Sequence, residues 1–112
     1  MEVQKFQSSD EQPQVRLVRP EMDVYESETE IRVVADLPGV SKDHLHLDLN
    51  QDELVIEGLW QREDALDIRY RRVLRVPQKI DREGISAGLA DGVLTLSLPW
   101  AAAVQPRRIE VN

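Results

Sequence analysis

The segment from Ala87 to Pro99, AGLADGVLTLSLP, constrains the fold most, because it joins a turn with narrow residue requirements to a strictly alternating run. Glycine takes positive φ without steric penalty and aspartate tolerates it better than most residues, so Asp91-Gly92 marks a tight turn. From Val93 onward Leu94, Leu96 and Leu98 fall on one face, with Val93, Thr95 and Ser97 on the other. Pro99, which lacks an N–H, stops the ladder. A half-buried strand leaving a hairpin is the reading.

The rest of the chain supplies partners for that strand. Met22-Asp23-Val24-Tyr25 forms a short run after Pro20, and Thr29 to Leu37 alternates Ile31, Val33 and Ala35 against Glu30, Arg32 and Asp36 before Pro38-Gly39. Leu45, Leu47 and Leu49 alternate with His44, His46 and Asp48, and Asn50-Gln51-Asp52 turns the chain. Glu53 to Trp60 and Ile68 to Val76 are further strands, joined by a charged loop, QREDALD. The polar stretch from Gln78 to Gly84 has Ile80 as its anchor, and Ile85 to Leu89 runs into the opening turn. Seven or eight short strands with no convincing helix predict an all-β fold, a two-sheet antiparallel β-sandwich.

With 112 residues the chain suits one domain with a single modest core. Residues 1 to 19 are polar and aperiodic and are expected to form a flexible N-terminal arm, either a plain tail or an arm that docks weakly on a partner. The domain proper is placed at 20 to 99, followed by a C-terminal extension at 100 to 112. In that extension an extended Ile109-Glu110-Val111 would project Ile109 and Val111 to one side as a two-pronged apolar plug; the alternative is a last strand of the chain's own sheet.

A formal net charge of −7 argues against nucleic acid or an anionic membrane as the main partner. Without cysteine there is no disulfide, Cys-based zinc site or thiol nucleophile. The N-terminal residues lack the apolar run of a signal peptide, so a cytoplasmic location is expected.

Taken together, these motifs resemble the small heat shock proteins, the Hsp20 or α-crystallin domain family. Ala87-x-x-x-Asp91-Gly92-Val93-Leu94 matches the family's A-x-x-x-n-G-V-L, and Asp36-Leu37-Pro38-Gly39-Val40 its D-L-P-G-V. Arg72 to Pro77 resembles R-x-F-x-L-P with Leu and Val in the apolar places, and Ile109-Glu110-Val111 the terminal I-x-I/V. The resemblance spans about residues 20 to 111. It implies an immunoglobulin-like sandwich acting as an ATP-independent holdase that binds partly unfolded clients, and a homodimer or modest homo-oligomer. It further implies a groove between the strand of Leu45, Leu47 and Leu49 and that of Ile85, Ala87 and Leu89, in which the plug of another chain seats. Any one of these side chains could equally be plain sandwich core.

The family's dimer interface maps onto Arg72, with Tyr70 and Leu74 on the same strand face. Many bacterial members carry a long insertion that swaps into the partner's sheet, but the short interval between Trp60 and Arg69 leaves no room for it. Edge pairing of the Ile68 to Val76 strands is expected instead. Trp100 stands where relatives usually have lysine, and either covers a groove or is an exposed aromatic.

Catalytic chemistry finds no foothold. His44, His46 and Asp48 share one strand face and could offer a metal two imidazoles and a carboxylate, yet three polar residues opposite three leucines are what any half-buried strand shows. No nucleophile elbow or phosphate-cradling glycine motif occurs. No enzyme activity, metal or cofactor is expected. The second functional reading is a co-chaperone-type sandwich adaptor that binds a folded partner.

Overall fold

The computed structural model describes residues 15–102 and 109–111. Eight strands form two four-stranded sheets. The first sheet orders β1 (Val15–Val18), β6 (Asp67–Arg75), β5 (Glu53–Trp60) and β4 (Leu45–Asn50). The second orders β2 (Met22–Glu26), β3 (Glu30–Asp36), β8 (Val93–Pro99) and β7 (Ser86–Ala90). All pairings are antiparallel except β1 on β6, which is parallel.

The alternating pattern of Val93 to Pro99 places β8 at the centre of its sheet, between β3 and β7. Leu94, Leu96 and Leu98 are buried, and their cross-strand neighbours on β3 are Ala35, Val33 and Ile31. Leu54, Ile56, Tyr70 and Val76 face them from the other sheet's elements, and Leu37, Val40 and Ile80 complete the core. Asp91 and Gly92 both have positive φ, 51° and 77°, as a type I′ hairpin turn requires. The Gly92 carbonyl accepts the Leu37 N–H at 2.6 Å, tying this turn to the Leu37-Pro38-Gly39 turn. At the other end of the β3–β8 ladder, the Ser97 hydroxyl donates to the Glu30 carboxylate and holds its pKa below the ordinary value, against the opposing effect of desolvation.

Because Leu96 is wholly buried on the central strand, Leu96→Ala should cost about 2–5 kcal/mol, read as a lower urea midpoint. Val93→Ala, on the opposite and partly exposed face, should cost less than about 1 kcal/mol.

Three segments differ from the sequence expectation. Val15–Val18, assigned to a flexible arm, is a strand; the alternation of a four-residue run says little, and its partner, the edge of β6, is remote in sequence. Residues 1–14 lie outside the described residues. Trp100, assigned to the C-terminal extension, forms a β-bridge with Ile80, its backbone N–H donates to Thr29 O at 3.1 Å, and its indole N–H donates to Ser27 O at 3.0 Å. Strand ends also shift: β6 runs Asp67–Arg75 rather than Ile68 to Val76, and β7 runs Ser86–Ala90 rather than Ile85 to Leu89.

Candidate functional site: an apolar groove between two sheet edges

Strands β4 and β7 are the last strands of their respective sheets, and each has a neighbour on only one side. Their registers put Leu45, Leu47 and Leu49 opposite Gly58, Ile56 and Leu54 on β5, and Ala87 and Leu89 opposite Leu96 and Leu94 on β8. The apolar row of β4 therefore lies along one sheet edge and that of β7 along the other. Two adjoining hollows open between them. One, of about 300 Å³, is lined by Lys42, Leu45, Ala87, Gly88, Leu89 and Leu94. The other, of about 240 Å³, is lined by Leu47, Leu49, Leu54, Ile85, Ser86, Ala87, Leu96 and Arg82.

All six residues expected to wall a groove thus line one or the other hollow, and the two hollows share Ala87. Leu45, Leu47, Ile85 and Leu89 are half-buried against the core, so they act as core and as groove wall at once. Leu49 is more open, at 39% exposed. Core leucines Leu94 and Leu96 form part of the floor.

Sequence reasoning missed Arg82, which sits in a stretch read only as a polar connection. Its guanidinium donates to the carbonyls of Pro77 at 3.0 Å, Ile80 at 3.2 Å and Val76 at 3.3 Å, and lies 3.6 Å from the Asp52 carboxylate. It knots the β6–β7 connection and so fixes where the β7 wall begins. Its one sequence signal is a lone arginine in a segment whose many backbone carbonyls need donors.

Ile109 and Val111 are 84% and 92% exposed and belong to no strand of their own chain. In an extended segment, side chains two residues apart stand about 6.7 Å apart on one side. Burying both would contribute about 3–6 kcal/mol before ordering costs.

On β6, Tyr70, Arg72 and Leu74 share the inward face. Tyr70 is buried at 4% exposure and its hydroxyl donates to Pro38 O at 3.1 Å, so its ring has no surface to offer a partner. Burial raises the phenol's pKa, with the Arg62 charge pulling the other way. Arg72 donates from Nη1 to Pro20 O at 2.7 Å, which meets the demand of a guanidinium among apolar neighbours inside its own chain. β1 occupies the edge of β6 from Asp67 to Tyr70, and among the described residues Arg71 to Arg75 have no strand beyond them.

His44 and His46 border a hollow of about 170 Å³ on the outer face of the first sheet, with Glu57, Leu59 and Arg69. Among the described residues no group of three His, Cys, Asp or Glu is placed to hold a metal ion. No helix among them is long and apolar enough to cross a membrane.

The fold is thus a β-sandwich whose two edge strands leave an apolar groove open between them. The chain belongs to the Hsp20/alpha crystallin family, whose model matches residues 23–112. It is 32% identical over 107 residues to a probable 15 kDa heat shock protein of Leptospira interrogans, covering 88% of this chain and 82% of that one. It is 33% identical over 100 residues to the 18 kDa antigen 2 of Mycobacterium avium, covering 81% and 72%. A small heat-shock protein structure from Xylella fastidiosa matches with a TM-score of 0.67 at 27% identity, covering 85% of this chain and 97% of that one. The family is one of chaperones that work without ATP and is not a family of enzymes.

Proposed function

We propose that the protein is an ATP-independent holdase of the cytoplasm that captures extended apolar segments of partly unfolded clients in the β4–β7 groove. The groove itself carries this reading. Two rows of leucine, isoleucine and alanine, half-buried at Leu45, Leu47, Ile85 and Leu89 and exposed at Leu49 and Ala87, flank the strand edges, a surface that rewards an unfolded chain and offers little to a folded one. The Ile109-Glu110-Val111 segment of another copy is the groove's resting occupant, and clients compete with it. Two copies associate along the edges of β6, with Arg72 and Leu74 behind the contact.

The test is the light scattering of a heat-denaturing client without nucleotide. The expected result is suppression of aggregation at about one chain per client; no suppression at any ratio up to several-fold excess would reject the holdase. A co-chaperone-type adaptor is the second reading. It is favoured by the outer face of the second sheet, where Tyr25, 57% exposed, borders a hollow of about 500 Å³ with Glu26, Glu30, Arg32 and Val34. An adaptor would leave the client's scattering unchanged.

A further inference from the structure

We infer that β1 is a displaceable cap that decides in which register, and how tightly, two copies pair along β6. The inference rests on the proposal above that β6 edges meet. In the structure β1 satisfies the outer edge of β6 only at Asp67, Ile68, Arg69 and Tyr70. The pairing cannot continue, because the next residues are Arg19 and then Pro20, which has no N–H to give; the Arg72 side chain takes the Pro20 carbonyl instead. Of the nine residues of β6, the five from Arg71 to Arg75 remain open.

A two-fold contact through that open part alone is centred on Val73. It sets Arg71 opposite Arg75 of the second copy, twice over, and like charges directly opposite each other oppose pairing. Release of β1 opens all nine residues and moves the centre to Arg71. Asp67 then faces Arg75 of the second copy, again twice over, Ile68 faces Leu74, and Arg71 meets Arg71 of the second copy at the centre. The longer contact replaces two like-charged pairs by two opposite-charged pairs and one like-charged pair.

The cap is built to come away. It is four residues long and parallel, Leu17 on its outer side is 74% exposed, and Val18 is its one residue packed on the core. Pro20 is buried and held by Arg72, so β1 can swing about Arg19 while β2 stays in place.

The experiment uses the full chain carrying Ile109→Ala and Val111→Ala, which removes the plug from assembly, with folding checked by circular dichroism. Sedimentation equilibrium compares it with the same chain also carrying Arg16→Pro and Leu17→Pro, which bar β1 from pairing without removing a core side chain. The expected result is at least tenfold tighter dimerisation on uncapping. Adding Arg75→Asp should abolish the gain, and Asp67→Arg with Arg75→Asp should restore it. Since the chain has no native cysteine, Arg71→Cys and Val73→Cys report the register by disulfide formation. Crosslinking should favour position 73 in the capped chain and position 71 in the uncapped one. An unchanged or weaker dimer on uncapping, with crosslinking still at 73, overturns the cap and leaves edge pairing standing. A dimer that crosslinks at neither position in either chain overturns edge pairing itself.

Discussion

Gly39→Ala is expected to destabilise the fold by about 2–5 kcal/mol, the largest loss of any glycine-to-alanine change in this chain. Two costs combine. Gly39 has φ of 82°, a conformation that costs an L-residue about 1–2 kcal/mol. A Cβ there would also clash with Cδ2, Cε2 and Cγ of the Trp60 ring, and overpacking costs about 1–3 kcal/mol more. Trp60 cannot easily retreat, because its ring packs on the core on one side and carries the Arg62 guanidinium 5.0 Å from its centre. Urea unfolding followed by tryptophan fluorescence measures the loss. Gly88→Ala is the control, since nothing lies within 4 Å of a Cβ there and φ is not positive; it should shift stability by less than about 1 kcal/mol. Equal losses at the two positions would refute the argument.

Changing both Ile109 and Val111 to alanine is expected to weaken the contact between chains at least ~100-fold, from the loss of about 3 kcal/mol or more of apolar burial. Multi-angle light scattering should show a lower mass at micromolar concentration. The same double change should leave the urea midpoint where it was, because both side chains are exposed in their own chain. It should also raise the rate of client capture, since the groove no longer has its resting occupant. An unchanged mass would refute the plug, and a mass that falls together with the urea midpoint would show that the segment belongs to its own fold.

Much of this architecture can be read from residues whose partners are local. The alternation of Val93 to Pro99, the Asp91-Gly92 turn and the leucines of β4 each carry their instructions within a few positions, and the sheet faces follow from parity. What escapes such reading depends on a remote partner. Val15–Val18 becomes a strand because β6 presents it an edge, and Trp100 becomes part of the fold because Ile80, Thr29 and Ser27 wait for it. Arg82 could be placed only once the carbonyls around it had been brought together. The groove is an intermediate case. Strand parity brings its six residues to the correct faces, but core and groove wall are the same residues, because Leu45 and Leu89 touch the core with one flank and border a hollow with the other.

The position of β8 has a consequence for how this molecule comes into being. Its pairing sets Glu30 opposite Pro99 and Asp36 opposite Val93, so β3 pairs in the middle of the second sheet with a strand that follows it only after β4, β5, β6 and β7. On the ribosome, β3 emerges and waits, its buried face bare, until those four strands and β8 have been translated. Contacts this distant in sequence fold slowly, because the loop must close before any pairing rewards it. During its own birth the chain is therefore an unfolded polypeptide with an exposed apolar strand, the very kind of molecule its finished groove is shaped to hold.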